Sequence, residues 1–183
     1  MKVYKKLDKR IIKFIEKQKM FFVASAPLSA DGHINLSPKG YDAFKVIDDT
    51  TVCWLDLGGS GIETQAHVQE NGRLTIMFCA VEGPANILRL YGTGEIVNPH
   101  HAEWDEMLGL FPGFERARGI FKVKLKRIQD SCGWGVPFYE FKGERDQLTR
   151  YVDNKSTEEW VKSRYDKNGE SIDGLTGLVR EVG

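Results

Sequence analysis

The chain of 183 residues has the length of a single domain and the composition of an ordinary globular protein, with 41% hydrophobic and 28% charged residues. Basic and acidic residues both number 26, so no net charge points to a nucleic-acid partner. The longest apolar runs are too short to cross a bilayer, and no apolar segment of a secretory signal follows the N-terminal MKVYKKLDKR. We therefore expect a cytoplasmic protein that binds neither nucleic acid nor membrane.

Cysteine and histidine give no sign of a disulfide framework or a metal centre. The three cysteines are an odd number at wide spacing without a C-x-x-C motif, which is typical of free thiols in a reducing compartment. The four histidines form no H-E-x-x-H motif and no Cys/His cluster. We expect no metal site.

The first third of the chain is predicted to form a helix and a hairpin. Apolar residues recur at helical spacing from Asp8 to Lys17, and Asp8 is a suitable N-cap. Residues 20–27 have the composition of a strand, residues 29–32 that of a tight turn, and residues 33–37 return antiparallel. Pro38 then limits this segment to the edge of a sheet.

The central stretch, residues 52–81, is predicted to fold as strand, glycine loop, helix, turn and strand. Residues 52–57 favour a half-buried strand, and three glycines between positions 58 and 61 permit a tight loop. Ser60 and Glu63 match the capping-box pattern S-x-x-E, so the helix is expected to begin there. Asn71-Gly72 is expected to end it before a strand over residues 73–81.

This glycine loop admits two interpretations. The unpaired N–H groups and the positive dipole end at the start of a helix form a ready anion site, which predicts a phosphate cradle. The simpler interpretation is a well-capped helix after a flexible loop, because S-x-x-E is common and capping requires no ligand. The stretch by itself favours the simpler interpretation.

The second half alternates strand and helix patterns. Residues 87–98 form a strand in which Gly92 and Gly94 predict a bulge, and residues 99–110 carry apolar groups at helical spacing. Residues 121–126 alternate apolar residues with lysines, which form either a solvated face or a basic groove. Trp134 lies between two glycines, so its ring is either packed under the loop or offered to a ligand.

These elements define a mainly β fold with flanking helices. Six or seven short strands and two or three helices are expected, and most connections are too short for parallel crossovers. A small antiparallel barrel with helices outside it fits best. We expect one domain over residues 1–183, in which residues 143–183 are a polar C-terminal extension with a short surface helix at 158–165 and an extended end.

Four segments, in order, resemble the FMN-binding split-barrel proteins related to pyridoxamine 5′-phosphate oxidase. The segments are INLSPKG (34–40), WLDLGGSGIETQAHVQENGRLTIMF (54–78), LRLYGTGEIV (88–97) and CGWGVP (132–137). The chain is most similar to a branch whose members carry EGP, RLYG and a final S-I-D-G-L. The resemblance implies an antiparallel split β-barrel and a homodimer with FMN bound between the subunits.

The resemblance also implies the residues that bind FMN. It places Lys39 on the ribityl-phosphate, with Ser37 on the same strand face, and Arg89 on the strand that faces the partner's flavin. Trp134 matches a late tryptophan that closes over the flavin ring. The remaining matches are the strand residues beside the ring, Trp54, Leu55 and Asp56, and the phosphate-contacting loop, Ser60, Gly61, Ile62, Glu63 and Thr64.

The sequence departs from the family pattern at three places. The Arg-Lys pair that binds phosphate in relatives aligns with Glu63-Thr64, and a glutamate repels a phosphate. The flavin-contacting glutamine of true oxidases aligns near Ile87. The C-terminal Arg-x-His/Arg signature that binds pyridoxal phosphate is missing. We therefore expect FMN binding without oxidation of pyridoxamine phosphate.

Three hypotheses remain open from the sequence. The first is an FMN-dependent oxidoreductase that acts on a small substrate. The second is a flavin-binding or stress-related module with little turnover, and the third is a non-flavin dimeric barrel. Apolar residues on both faces of the central strands, as at 76–78, favour a homodimer in each case.

Overall fold

The structure is a computed structural model that describes residues 1–180, which contain eight strands and five helices. The strands are β1 (Lys2–Tyr4), β2 (Phe21–Ser25), β3 (Asn35–Lys39), β4 (Phe44–Asp48), β5 (Thr51–Asp56), β6 (Arg73–Cys79), β7 (Ile87–Val97) and β8 (Gly119–Ser131). The helices are α1 (Lys9–Lys17), α2 (Glu63–Asn71), α3 (Trp104–Leu108), α4 (Gln147–Asp153) and α5 (Thr157–Asn168). The short strand β1 and the helix α4 were not predicted from the sequence.

All strands belong to one antiparallel sheet with the order β3-β2-β6-β7-β8-β5-β4, and β1 pairs with the far end of β8. The register between β7 and β8 shifts between Tyr91 and Gly92, and the extra residue, Lys126, belongs to β8 rather than to β7 as predicted. A Cβ atom on Gly92 would lie 2.5 Å from the Val123 side chain and 2.7 Å from the Lys124 carbonyl oxygen. Glycine is therefore needed where β8 crosses this bend.

The sheet curls until its two ends meet through side chains, which gives the expected split barrel. Phe21 of β2 contacts Phe44 of β4 with ring centroids 5.1 Å apart, and Phe44 contacts Phe78 of β6 at 5.0 Å. Aromatic pairs at these distances stabilise by more than their buried area alone. The antiparallel split-barrel fold predicted from the sequence is confirmed.

Strand β5 is buried on both faces, which differs from the half-buried strand that was predicted. Its inner face adds Val52 and Trp54 to the barrel core. Its outer face packs Cys53 and Leu55 into a second core that includes Met107 of α3. The second core forms because the segment around α3 lies over this part of the sheet.

One helix start matches the sequence prediction and one differs from it. Helix α1 begins after the predicted cap, where the Asp8 carboxylate accepts a hydrogen bond from the Ile11 N–H at 2.8 Å. The helix predicted over residues 99–110 is confined to α3. Turns precede it instead, since the His101 N–H bonds the Asn98 carbonyl and the Trp104 N–H bonds the His101 carbonyl, both at 2.9 Å.

The C-terminal segment packs against the barrel more closely than a polar extension would. The guanidinium of Arg116 donates to the carbonyls of Val152, Lys155 and Ser156, which end α4 and lead into α5. Helix α5 is longer than the predicted surface helix, and its Trp160 is buried. In the end predicted as extended, residues 172–173 form a turn and Glu170 forms an isolated antiparallel bridge with Thr176; residues 181–183 lie outside the described residues.

We predict that Gly72→Ala destabilises the protein more than Gly83→Ala does. Both glycines have positive φ angles, 69° and 71°, and each alanine therefore costs about 1–2 kcal/mol of backbone strain. A Cβ on Gly72 would also lie 2.7 Å from Thr93, whereas Gly83 has open space around it. Overpacking adds about 1–3 kcal/mol.

Urea denaturation of the two variants measures this difference, with Gly83→Ala as the control for strain alone. Equal destabilisation of the two variants would contradict the tight approach of α2 to β7.

Candidate functional site

A row of polar side chains lines the inner face of edge strand β3. Asn35, Ser37 and Lys39 are half-buried, whereas Leu36 and Pro38 between them point outward and are exposed. The cross-strand partners of the row are Ser25, Val23 and Phe21, which all belong to the buried face of β2. Within residues 1–180, Lys39 makes no hydrogen bond or ion pair, so its ammonium group is available to a ligand.

The start of α2 lies against the Asn35 end of this row. Thr64 Oγ1 accepts a hydrogen bond from Asn35 Nδ2 at 2.8 Å, which ties the strand to the first turn of the helix. The N-cap is Ile62, whose side chain makes no capping bond. The first N–H with a helical acceptor belongs to Ala66. The earlier N–H groups of the first turn are therefore donors for an anion.

The predicted capping box is wrong. Helix α2 begins at Glu63, and Ser60 lies outside it in an exposed part of the loop. The Glu63 carboxylate folds back over the loop, so that a Cβ on Gly61 would lie 2.2 Å from it. The loop takes this path because the carbonyls of Gly61 and Ser60 are held inward by Arg118 and Asn168, at 3.0 Å and 3.5 Å.

A buried ion pair anchors the glycine loop to the barrel. Arg118 Nε and Asp56 Oδ2 are 2.9 Å apart, and both side chains are 6% exposed. The Arg118 guanidinium also donates to Asn168 Oδ1 at 2.9 Å. The Asp56 carboxylate accepts from the Gly58 N–H at 3.1 Å. Sequence reasoning missed Arg118 and Asn168, because no local pattern links residues 50 to 62 positions apart.

The charge state of Asp56 follows from these contacts. Burial alone would raise the pKa of the Asp56 carboxyl, but the positive charges of Arg118 and Lys39 oppose it. Together with the hydrogen bonds from Arg118 and Gly58, they hold the pKa below its ordinary value. Asp56 is therefore a carboxylate, and Lys39 lies within electrostatic range of it.

The structure does not bring Trp54 and Leu55 to the surface of the site. Trp54 is 0% exposed and stacks on Phe121 with centroids 4.3 Å apart, while Leu55 is buried in the second core. Their assignment beside a flavin ring stays a prediction. Neither side chain is accessible in this protomer, so a flavin could contact these two residues only through their main-chain atoms or after a rearrangement.

Arg89 lies on the opposite face of the sheet from Lys39, and Trp134 lies on an exposed turn after β8. Arg89 pairs across β6 with Met77 and across β8 with Gln129, on the outer face of the sheet, and donates to Ser131 Oγ at 3.1 Å. Trp134 is 85% exposed after Gly133, whose φ is 66°. Trp134 is therefore outside the core.

A buried histidine was also missed by sequence reasoning. His67 of α2 is 0% exposed, and its Nδ1 lies 2.9 Å from Ser25 Oγ of β2. Its Nε2 has no hydrogen-bond partner within the described residues. Burial lowers the pKa of His67, and nearby carboxylates offset this only in part. His67 therefore packs as a neutral imidazole.

A groove of about 800 Å³ opens on the other side of the Phe21–Phe44 contact, between α1, β4 and α3. Its floor is aromatic, with Phe78 beneath, and its rim carries the ion pair of Lys122 and Glu103 at 2.5 Å.

Within residues 1–180 no helix has the length and apolar character needed to cross a membrane.

The fold and the site define a class of protein: an antiparallel split barrel in which a polar edge strand faces the start of a helix. The chain belongs to the pyridoxamine 5′-phosphate oxidase family, because a sequence profile of that description matches residues 7–132. The family resemblance predicted from the four sequence segments is confirmed.

Individual relatives agree with this assignment. The chain is 31% identical over 195 residues to the pyridoxamine 5′-phosphate oxidase family protein ustO of Aspergillus flavus, covering 96% of this chain and 77% of that protein. The HupZ structure from Group A Streptococcus has a TM-score of 0.54 at 20% identity, covering 73% of this chain and 99% of that one.

A structure from Lactobacillus delbrueckii, described as a candidate pyridoxamine 5′-phosphate oxidase, has the same TM-score of 0.54 at 16% identity. It covers 70% of this chain and 99% of that one. At these identities, the two structures show a common fold and nothing further.

We predict that burial of His67 makes the protein less stable as the pH falls below neutrality. Unfolded His67 binds a proton near pH 6.5, whereas the folded state resists protonation until a lower pH. Between the two pKa values only the unfolded chain is protonated, so the free energy of unfolding falls with pH by at most about 1.4 kcal/mol per unit.

Urea titrations between about pH 7.5 and 5.5 measure this slope. His67→Gln should flatten it. An identical slope in wild type and His67→Gln would contradict the assignment.

Proposed function

We propose that the protein is a homodimeric FMN-binding flavoprotein that acts as an oxidoreductase on a small substrate. The observation that carries the proposal is an edge strand, β3, that presents the unpaired Lys39 on its inner face and is tied through Asn35 to the uncapped start of α2. Membership of the family supports the same cofactor.

The donors at this site suit a phosphate monoester. Lys39 offers a positive charge, Ser37 and Thr64 offer hydroxyls, and the first turn of α2 offers main-chain N–H groups. Glu63 opposes an anion, since it stands where relatives carry a basic residue. The net charge that an anion meets here is favourable. Arg118 already neutralises the Asp56 carboxylate, which therefore does not cancel the positive charge of Lys39. The residues present therefore fit the phosphate of FMN.

FMN, when bound, supplies the hydride or electron transfer itself. The chain's part is to bind and orient the cofactor: Lys39 and Ser37 hold the phosphate from the strand side, and the start of α2 holds it from the helix side. Pyridoxamine phosphate is not the proposed substrate, because the sequence lacks the basic signature that would bind its phosphate over the flavin.

The proposed dimer explains the position of Arg89. It lies on the outer face of the sheet, whereas Lys39 lies on the inner face, so one protomer cannot direct both at one ligand. The outer face carries half-buried apolar residues, among them Phe22, Met77 and Tyr91. Pairing of this face with a second copy buries them and brings one protomer's Arg89 toward the other's site.

A module with little turnover is the second candidate, and Glu63 is the observation that favours it. A carboxylate over the phosphate loop weakens cofactor binding, which suits a protein that responds to flavin rather than one that turns over.

Reduction of the FMN-loaded protein by NADH or NADPH, followed by panels of electron acceptors, separates the oxidoreductase from the module with little turnover. A purified protein that takes up no FMN, and so lacks the oxidised-flavin absorption, would be the non-flavin dimeric barrel.

We predict that Lys39→Ala weakens FMN binding by about one to two orders of magnitude. A charge-assisted hydrogen bond contributes roughly 1.5–3 kcal/mol, and no second side chain of β3 carries a positive charge. Riboflavin, which lacks the phosphate, should bind wild type and variant almost equally. Fluorescence titration with both flavins measures the difference.

The matched control is Lys45→Ala on the neighbouring strand β4, where the lysine already pairs with Asp42. Unchanged FMN affinity in Lys39→Ala, or an equal loss of riboflavin affinity, would move the phosphate site elsewhere.

We predict that Trp134→Ala weakens FMN binding but leaves the thermal stability of the cofactor-free protein nearly unchanged. The exposed ring makes few contacts within the protomer and is available to cover a flavin. Trp104→Ala on α3 is the control, because it removes a buried ring and should cost about 3–5 kcal/mol without a flavin-specific effect. Destabilisation by Trp134→Ala of similar size would assign it a structural role.

We predict a mass in light scattering of twice the 20.8 kDa of one chain, and a shift toward monomer in Met77→Lys. The substitution places a charge in the centre of the proposed interface, where its desolvation is costly. Ile172→Lys, at a residue 68% exposed and away from the sheet, is the control. A wild-type protein that is monomeric at micromolar concentration would exclude the interface.

A further inference from the structure

The charges of the chain are distributed unevenly, although they sum to zero. The first 19 residues carry eight basic and two acidic side chains, so the remaining 164 residues carry six more acidic than basic ones. The zero net charge and the short apolar runs led us to expect neither a nucleic-acid nor a membrane partner, but neither feature addresses a local excess of charge. A contact with a bilayer surface that is made by charge requires no spanning segment.

Three lysines of α1, Lys9, Lys13 and Lys17, form a lysine stripe on the surface of the protein. They follow one another at intervals of four residues, so they share one side of the helix. The opposite side holds Ile11 and Ile15, which are buried in the barrel core, so the stripe faces away from the barrel. All three lysines are exposed, and within residues 1–180 none of them makes a hydrogen bond or an ion pair.

Two neighbouring basic residues, in contrast, already have acidic partners. Lys6 pairs with Asp49 at 2.7 Å. Arg10 receives the Tyr4 hydroxyl oxygen as an acceptor at 2.6 Å and lies 3.8 Å from the Asp130 carboxylate. The protein therefore compensates the charges beside the stripe and leaves those of the stripe itself uncompensated.

The lysine stripe is unfavourable for the helix that carries it. Like charges four residues apart repel each other, and α1 has no acidic residue in its first turn, where the helix dipole favours one. The one acidic residue of α1, Glu16, lines the groove between α1 and α3 instead. The stability of the helix therefore does not explain the stripe.

The chemistry of the stripe fits a surface of anionic lipid headgroups better than a nucleic acid. Paired recognition of phosphates and base edges favours the guanidinium of arginine, and the one arginine of α1, Arg10, is engaged inside the protomer. Single-stranded nucleic acid requires exposed aromatic rings for stacking, and the two rings of residues 1–20, Tyr4 and Phe14, are half-buried. A bilayer requires only that several cations on one exposed side reach its plane together.

We propose that the lysine stripe is a docking surface for a bilayer rich in anionic lipid headgroups. The contact is electrostatic and does not insert α1, because the apolar side of the helix belongs to the barrel core. The stripe also lies apart from the proposed dimer interface, which is the outer face of the sheet. The inference therefore depends neither on FMN nor on the dimer.

Sedimentation with lipid vesicles tests the docking surface. Wild type should bind vesicles of phosphatidylcholine that contain about 30 mol% phosphatidylserine, and it should not bind pure phosphatidylcholine. Each lysine near an anionic surface contributes about fivefold, so Lys9→Gln/Lys13→Gln/Lys17→Gln should lower the partition coefficient about a hundredfold. An increase from about 0.1 M to about 0.5 M salt should release wild type, because salt screens exposed charges.

The matched control is Lys142→Gln/Lys162→Gln/Lys167→Gln, which removes the same charge from exposed lysines of the C-terminal segment. It should bind within about threefold of wild type, because charges far from the bilayer are screened. Thermal unfolding checks that the stripe variant is folded and at least as stable as wild type, since the substitutions remove a repulsion.

Four results would overturn the inference. The first is a wild-type protein that does not bind anionic vesicles or binds neutral vesicles equally well. The second is an equal loss of binding in the stripe variant and the control, which would leave only an effect of net charge. The third is a stripe variant less stable than wild type, which would give the lysines a structural role. The fourth is stripe-dependent binding to a DNA duplex that exceeds binding to vesicles at the same phosphate concentration.

Discussion

The buried pair of Asp56 and Arg118 is the interaction on which the arrangement of the site depends. Desolvation of two charges costs several kcal/mol per ion, and their mutual attraction offsets this only when the remaining donors and acceptors are also satisfied. Here they are, by Gly58, Gly61 and Asn168. The pair joins the end of β5, the start of β8, the glycine loop and α5 in one network, so removal of either partner alone should cost about 3–5 kcal/mol.

The same network explains why the start of α2 is uncapped. Loop carbonyls that point inward toward Arg118 and Asn168 force the loop to turn late, at Ile62 rather than at Ser60. A side-chain cap would satisfy the first helical N–H groups internally. The first N–H groups of α2 are therefore available to a ligand because the loop before them is turned toward the buried cation Arg118.

Features set by neighbouring residues were predictable from the sequence. The Asp8 cap, the Gly72 helix end and the irregular pairing at Gly92 each follow from local backbone chemistry, and the alternation of the strands indicated a barrel. The site was only partly predictable. The Lys39 row was found through its family segment, but its surroundings depend on contacts over long sequence separations, such as Ser25 with His67 and Arg118 with Asn168.

The C-terminal segment shows why the rest could not be predicted. Its polar composition suggested a loosely attached extension, yet Arg145, Asn168 and Asp173 each contact the barrel at a different edge of the site. The Arg145 carbonyl accepts from the hydroxyl of Tyr41, Asn168 holds Arg118, and the Asp173 carboxylate pairs with the imidazole of His33 at 2.6 Å. Composition reports how much of a segment is polar, but not which of its polar groups the fold will bury or pair.

Tyr41 shows how this contact acts on the strand that carries Lys39. Its φ of 60° lies in the left-handed region, which costs a bulky residue about 1–3 kcal/mol and persists only when surrounding contacts enforce it. The enforcing contacts are the hydroxyl bond to the Arg145 carbonyl at 2.5 Å and the edge-on packing of its ring against Phe114 at 6.2 Å. Two residues before this turn, Lys39 is therefore fixed between a strained corner on one side and the Asn35–Thr64 bond on the other. A lysine on a free edge strand would lose both side-chain and backbone entropy on binding an anion. On a strand that is held at both ends, most of the backbone entropy is already lost when the protein folds, so anion binding costs less.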